Sequence, residues 1–189
     1  MRRLPVIGLL LLFAAGCSAP PQNEIDQAQG TIDAARAAGA DKYAPDEYSA
    51  ATASLQKAHD AVNQRDYRQA LSYAIDARER GQDAARAAAD GKARARGRVE
   101  ALVSQLSARS QQLDGRITAA AAARVPARDL KKARATLAEC RSSLQEARTT
   151  IEAGNYQEAM QALAAVGPKL DAAIKDVQAM SQRPARRRR

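Results

Sequence analysis

Aromatic residues are nearly missing from this chain of 189 residues. Tryptophan does not occur, the one phenylalanine is Phe13, and aromatics make up 3% of the sequence. A chain with so few large side chains cannot fill a thick core, which argues against a β-sandwich and against a doubly wound sheet. Windows in which Val, Ile and Thr alternate with polar residues are also missing, so strands are not expected.

The residues that enzymes and metal sites need are equally scarce. His59 is the sole histidine, and Cys17 and Cys140 are the two cysteines. No carboxylate or thiol stands at metal-ligand spacing from His59, and the chain has no glycine-rich phosphate loop, Gly-x-Ser-x-Gly turn or Cys-x-x-Cys pair. Asp46 and Glu47 are adjacent, whereas glycosidase carboxylates flank a cleft. The sequence predicts a protein that is not an enzyme and has no cofactor.

Alanine, by contrast, accounts for 46 of the 189 residues. It has the highest helix propensity of all residues, but burial of its methyl group yields roughly a third to a half of what a buried leucine yields. Such a chain forms long helices that pack closely around a thin core. We therefore expect an all-α fold, an elongated helical bundle of antiparallel coiled-coil hairpins with no sheet.

Apolar residues recur at intervals of three and four along most of the chain, the spacing that places them on one helix face. The six stripes are Ile25, Ala28, Ile32, Ala35 and Gly39; Tyr48, Ala51, Leu55, Ala58 and Val62; Ala70, Ala74, Ala77, Gly81, Ala84 and Ala88; Val99, Leu102, Leu106, Leu113, Ile117 and Ala120; Leu130, Ala133, Leu137, Cys140, Leu144, Ala147 and Ile151; and Tyr156, Ala159, Leu163, Val166, Leu170, Ile174 and Val177.

These helices form one pattern that occurs twice: helix, proline turn, helix, tyrosine-led turn, helix. Pro45 corresponds to Pro126, and Asp66-Tyr67 to Asn155-Tyr156. The repeat predicts two similar three-helix modules, residues 24–91 and residues 92–181, of which the second has the longer helices. The third and fourth helices could be continuous from about residue 67 to 122, and the sequence leaves this open.

Helix ends follow from the turn residues. Asp66 and Asn155 are suited to the N-cap position, and Gly154 to a left-handed C-terminal residue. Gly167-Pro168 predicts a kink or a break in the last helix.

The first sixteen residues have the order of an export signal: Arg2-Arg3, an apolar run from Leu4 to Phe13, and then Ala14-Ala15-Gly16. Ala15-Gly16-Cys17 resembles a bacterial lipobox. That resemblance implies that Cys17 is acylated and begins the mature protein, followed by a linker over residues 17–23. Ser18 resembles the signal for transfer to the outer membrane, facing the periplasm, in preference to retention at the inner membrane.

The basic charge of the chain is concentrated at the C-terminal end. The formal net charge is +9, and removal of Arg2 and Arg3 with the leader leaves 28 basic and 21 acidic residues. Residues 182–189 form a predicted disordered tail with five arginines, Arg183, Arg186, Arg187, Arg188 and Arg189, without which the balance is +2. The body is therefore nearly neutral, which argues against nucleic acid as a partner. The tail could bind anionic lipid headgroups, lipopolysaccharide phosphates or an acidic partner, or could simply solubilise the terminus.

Tyr43, Tyr48, Tyr67 and Tyr73 cluster around the first hairpin, and Tyr156 leads the corresponding turn of the second module. They could line a ligand site, although packing of the helical turns is the more usual role. Cys140 is either a small residue in an apolar seam or a thiol that forms a disulfide between two molecules.

Gly154-Asn155-Tyr156-Gln157-Glu158-Ala159 resembles the Gly-x-Tyr-x-x-Ala turn of tetratricopeptide repeats, which implies tetratricopeptide-like hairpins. Ala35-Arg36-Ala37-Ala38-Gly39-Ala40-Asp41-Lys42-Tyr43-Ala44-Pro45, with Asp66-Tyr67, resembles alanine-rich bacterial lipoproteins that carry a domain of unknown function. This resemblance spans about residues 24 to 95. It implies an envelope location and a helical fold, and no chemistry.

The sequence thus predicts a lipid-anchored helical scaffold of the cell envelope, with a membrane contact through its lipid. Its partner would be an envelope protein or an anionic envelope polymer. The alternative is a small-ligand or glycan-binding lipoprotein that uses the tyrosines of the first module. Alanine seams can close within one chain or between chains, so a homo-oligomer stays open.

Overall fold

The structure is a computed structural model that describes residues 19–182. Within that range all regular structure is helical and no strand occurs, which confirms the all-α prediction. The seven helices are α1 (Gln22–Ala37), α2 (Ala40–Tyr43), α3 (Pro45–Asn63), α4 (Tyr67–Ala122), α5 (Ala127–Glu152), α6 (Tyr156–Leu163) and α7 (Val166–Gln182).

The chain divides between Ala88 and Ala89 into two compact units. Unit 1, before the division, contains α1, α2, α3 and the first part of α4; unit 2 contains the remainder of α4 with α5, α6 and α7. The division lies three residues before the predicted module boundary at 91/92. The third and fourth predicted helices are continuous. They form α4, one helix of 56 residues that passes through Gly91 and Gly97.

Three helices end in the same kind of turn. The residues after the helix ends, Arg65, Arg124 and Gly154, have φ values of 60°, 60° and 82°, which is left-handed backbone. In each turn the next residue donates its N–H to a carbonyl five residues earlier, as Asp66 does to Ala61 at 2.9 Å and Asn155 to Thr150 at 3.0 Å. These bonds satisfy carbonyls that the helix end would otherwise leave unpaired. The prediction for Gly154 is confirmed.

The structure contains the predicted helix starts at Pro45, Asp66 and Asn155, and these starts differ in how they are capped. Pro45 is the first residue of α3, where its missing N–H is not needed. Asp66 caps α4, because its Oδ1 accepts a hydrogen bond from the Gln69 N–H at 3.0 Å. Asn155 is the N-cap residue of α6, as predicted, and its side chain makes no capping hydrogen bond.

The structure adds detail to the predicted helices at two places, the turn between α1 and α3 and the break before α7. The short helix α2 fills the turn between α1 and α3, after Gly39, whose φ is 91°. The third helix of the second module is interrupted between Leu163 and Val166, so that Pro168 lies in the first turn of α7. The break predicted at Gly167-Pro168 is therefore present, and it lies just before those residues.

The core of unit 1 is built almost entirely from alanine. The buried residues of its two clusters are all alanine except Ile25, Ile32 and Leu55. The predicted seam on α4 is buried along its whole length, including Gly81. A Cβ added to Gly81 would lie 3.0 Å from Thr31 Cγ2 and 3.3 Å from Ile32 Cγ1, so α1 and α4 approach each other closely at this point.

Unit 2 has larger side chains in its core. Of the seventeen buried residues in its cluster, five are alanine and the others include Leu106, Leu113, Leu130 and Leu170. Ion pairs join the helices α4, α5 and α7 of this unit to one another. Arg109 Nη1 of α4 lies 2.8 Å from Asp171 Oδ2 of α7, and Arg141 of α5 pairs with Asp114 of α4 at 2.8 Å. The third pair joins Lys169 of α7 to Glu139 of α5.

Candidate functional site

The residues with the clearest predicted role lie outside the described residues. These are Cys17, with the leader before it, and the tail arginines Arg183, Arg186, Arg187, Arg188 and Arg189. The described residues begin close to the first of these positions, because α1 starts at Gln22, five residues after Cys17.

The tyrosines of unit 1 are half-buried and are divided among different parts of the helical core. Tyr43 packs against the alanine cluster that contains Ala35 and Ala84, and Tyr48 contacts this cluster and the one that contains Ile25. Tyr73 packs against the second cluster, with the Lys57 ammonium 5.9 Å from its ring centroid. Their rings supply bulk that alanine cannot, which favours a packing role.

The two turn tyrosines occupy equivalent places in different units. Tyr67 is the first residue of α4 and is half-buried, without membership in the core clusters of unit 1. Tyr156 is the first residue of α6 and packs against the core of unit 2. Each unit thus holds one turn tyrosine.

A polar link joins α3 to α4 in unit 1. The buried Ser54 hydroxyl donates to Asp76 Oδ2 at 2.6 Å, and Arg80 Nε donates to the same oxygen at 2.8 Å. The hydrogen bond from Arg80, and then that from Ser54, lower the pKa of the Asp76 carboxyl below its ordinary value. The carboxylate is therefore held in its charged form with both partners, as a link between helices and not as a proton donor.

A shallow groove of about 240 Å³ lies between α5 and α7. Its apolar floor is formed by Ala133 and Ala173, and Met180 lies at its edge. Its rim carries charges of both signs, among them the pair of Glu139 with Lys169, whose hydrogen bond raises the pKa of the lysine. The volume is below that of most ligand pockets, and the rim is neutral in sum, so the groove suits a small apolar side chain more than a cofactor.

The remaining candidates have ordinary surroundings. Cys140 is 1% exposed within the core of unit 2, and burial raises the pKa of its thiol. That environment favours the seam interpretation over a disulfide between molecules. His59 is exposed on α3, as are Asp46 and Glu47 in the first turn of that helix. Among residues 19–182, no group of three or more His, Cys, Asp or Glu side chains is placed to hold a metal ion.

Sequence reasoning missed one surface feature, the exposed pair Leu71 and Ile75 on α4. Both residues stand one position after a seam alanine, Ala70 and Ala74. The spacing of four residues between Leu71 and Ile75 is visible in the sequence. The seam from Ala70 to Ala88 already supplied a buried face for α4, however, so the sequence pattern did not single out these two residues.

Between residues 19 and 182, the helices lack the combination of length and apolar character that a membrane span requires. Comparison of the chain with curated proteins and with solved structures finds no match. A comparison with family models does find one, and it covers unit 1 from residue 23 onward together with the next part of α4. Residues 23–102 carry a domain of unknown function, DUF4398.

Proposed function

We propose that this protein is a lipid-anchored helical adaptor of the cell envelope. It is held on the periplasmic face of the outer membrane by an acylated Cys17, and it acts without catalysis through contacts with an envelope protein or an anionic envelope polymer. The observation that carries the proposal is the order of the leader: two arginines, an apolar run, and small residues directly before Cys17.

The fold is compatible with this role. Only residues 18–21 separate Cys17 from α1, so the first helix begins five residues after the proposed anchor. The packed tyrosines and the interhelical link of Ser54 with Asp76 have structural roles, which favours the adaptor over the ligand-binding alternative.

Fatty-acid labelling tests the anchor. Cells that produce the natural chain, Cys17→Ala or Cys140→Ala are grown with a radiolabelled fatty acid, and the membrane fractions are separated. We expect label and outer-membrane localisation for the natural chain and for Cys140→Ala, and neither for Cys17→Ala. Label that survives in Cys17→Ala would contradict the proposal.

The arginine tail is tested separately. Each arginine near an anionic surface contributes about 1 kcal/mol, so five of them could hold the tail on lipopolysaccharide phosphates or on an acidic protein. Crosslinked envelope complexes are compared for the natural chain, for a chain that lacks residues 183–189, and for a chain with the five arginines changed to lysine. We expect loss of a partner in the truncated chain and its retention with lysine. Identical partners in all three would remove the tail from the mechanism.

A further inference from the structure

Leu71 and Ile75 are the two large apolar side chains that the structure leaves exposed within residues 19–182, at 37% and 39% of their full accessible surface. They lie one turn apart near the start of α4, so their side chains are neighbours on one face. Single exposed apolar residues are common and need no explanation. Here, however, the two occur together, and they form an apolar ridge beside the alanine seam of α4.

The ridge lies at the end of unit 1 where α1 begins. Arg78 Nη1 of α4 donates to Gln27 Oε1 of α1 at 3.1 Å, and Gly81 meets Thr31 one turn further along both helices. The two helices therefore run in the same direction. Both rise about 1.5 Å per residue, so Gln22, the first residue of α1, comes level with Tyr73 of α4, between Leu71 and Ile75.

The turn from α3 into α4 lies at this same end. It places two exposed arginines, Arg65 and Arg68, and the half-buried Tyr67 next to the ridge. Aliphatic side chains that enter the headgroup boundary, with tyrosine at headgroup level and arginine close to phosphates, are the usual components of an interfacial membrane contact.

Attraction between the arginines and an anionic surface cannot by itself provide the affinity of this contact, because acidic side chains are also present at this end of unit 1. Glu24 is half-buried in the first turn of α1, Asp60 accepts a hydrogen bond from Gln56, and Asp66 is the N-cap of α4. The apolar ridge therefore has to provide most of the affinity, and the arginines add to it.

The proposed anchor brings a lipid surface within reach of the ridge. Five residue steps separate Cys17 from Gln22, and a fully extended chain of that length spans at most about 18 Å. A tether this short holds the ridge at an effective concentration on the order of millimolar relative to the membrane. A contact that would be too weak for a free protein can then form.

We propose that Leu71 and Ile75, flanked by Arg65, Tyr67 and Arg68, dock on the phospholipid headgroup region of the membrane to which Cys17 is attached. This inference rests on the proposed lipid anchor. It adds to that anchor a defined face of unit 1 that lies against the bilayer.

The absence of tryptophan makes the test direct, because Leu71→Trp introduces the only indole of the chain. The lipidated variant is purified from membranes and reconstituted into vesicles of phosphatidylethanolamine and phosphatidylglycerol, with and without phosphatidylcholine that carries brominated acyl chains. We expect emission at shorter wavelength and roughly twofold quenching by the brominated lipid, since an interfacial side chain reaches the acyl boundary. Ala53→Trp, at an exposed position of α3, is the control and should keep its fluorescence.

Several results would overturn the docking face. These are no quenching at position 71, equal quenching at position 53, or a shift to shorter wavelength without quenching, which would indicate contact with another protein or a second copy. Ile75→Trp provides a second probe if circular dichroism shows that Leu71→Trp is not folded. Fatty-acid label on Cys17 is measured on the same samples. Label without quenching overturns the docking face alone, whereas absence of label overturns the anchor and the docking face together.

Discussion

The Ser54 hydroxyl donates a 2.6 Å hydrogen bond to Asp76 Oδ2 across the interface of α3 and α4. Ser54 and Ser110 are the two buried polar side chains among residues 19–182, and they differ in one respect. Ser54 has this partner, whereas the hydroxyl of Ser110, on α4 in unit 2, has no hydrogen-bond partner in the described structure. The two serines therefore form a natural comparison.

Ser54→Ala and Ser110→Ala should change the free energy of unfolding in opposite directions. Loss of the Ser54 hydroxyl removes a hydrogen bond to a charged group and should destabilise the protein by about 1–2 kcal/mol. Loss of the Ser110 hydroxyl removes a buried polar group without a partner and should stabilise it by up to about 1 kcal/mol. Urea denaturation followed by circular dichroism measures both changes. Equal destabilisation by the two variants would contradict the assigned difference.

Asp76 should contribute to the stability of unit 1 in a pH-dependent way. Its pKa in the folded protein is lowered from the ordinary value of 3.8, first by the Arg80 hydrogen bond and then by that of Ser54. A lowered pKa stabilises the fold above the unfolded-state pKa, and this contribution is lost as the pH falls through the folded-state pKa. The loss therefore begins near pH 3.8 and is complete below the lowered value.

Urea midpoints from neutral pH down to about pH 2 test this expectation. Asp76→Asn should reduce stability at neutral pH and should flatten the decline in acid. Asp90→Asn, a change of an exposed aspartate on α4, is the control and should follow the natural chain. A decline in Asp76→Asn as steep as that of the natural chain would show that other groups dominate.

Glycine-to-alanine changes on α4 should have opposite signs at two positions. A Cβ at Gly97 would meet nothing within 4 Å, so Gly97→Ala should stabilise the helix by about 0.5–1 kcal/mol. A Cβ at Gly81 would lie 3.0 Å from Thr31 Cγ2, and the Thr31 hydroxyl is held by its 2.8 Å bond to the Gln27 carbonyl. We expect Gly81→Ala to destabilise by about 1–2 kcal/mol, because the close contact of the helices opposes the gain in propensity. Thermal unfolding of both variants provides the measurement.

The left-handed residues that follow α3, α4 and α5 predict a further set of changes. Arginine at φ 60° is strained, since its Cβ crowds the following carbonyl, so Arg65→Gly and Arg124→Gly should each stabilise the protein by up to about 1 kcal/mol. Gly154→Ala, at φ 82°, should destabilise it by about 1 kcal/mol for the same reason. Urea midpoints of the three variants test the set, and stabilisation by Gly154→Ala would contradict this account of the turns.

The sequence predicted the helices and their buried faces because alanine and leucine recur at helical spacing. The seam from Ala70 to Ala88 is buried as predicted, and the Asp66 cap forms. Leu102 belongs to a predicted stripe but is only partly buried. The spacing of apolar residues predicts which face of a helix is buried, but not how deeply each residue on that face is buried.

What the sequence did not reveal depends on contacts between helices. Ser54 meets Asp76 only because α3 and α4 are rotated so that these residues face each other, and no local pattern encodes that rotation. The left-handed Arg65 and Arg124 were missed because arginine carries no turn preference, unlike the glycine at 154. Leu71 and Ile75 have the character of core residues, and their exposure depends on how the other helices of unit 1 pack against α4.

The alanine core of unit 1 has a thermal consequence. The heat capacity change on unfolding grows with the apolar area that becomes exposed, and a methyl group exposes little of it. Unit 2, with its leucines, exposes more. Per residue, unfolding of unit 1 should therefore raise the heat capacity less than unfolding of unit 2.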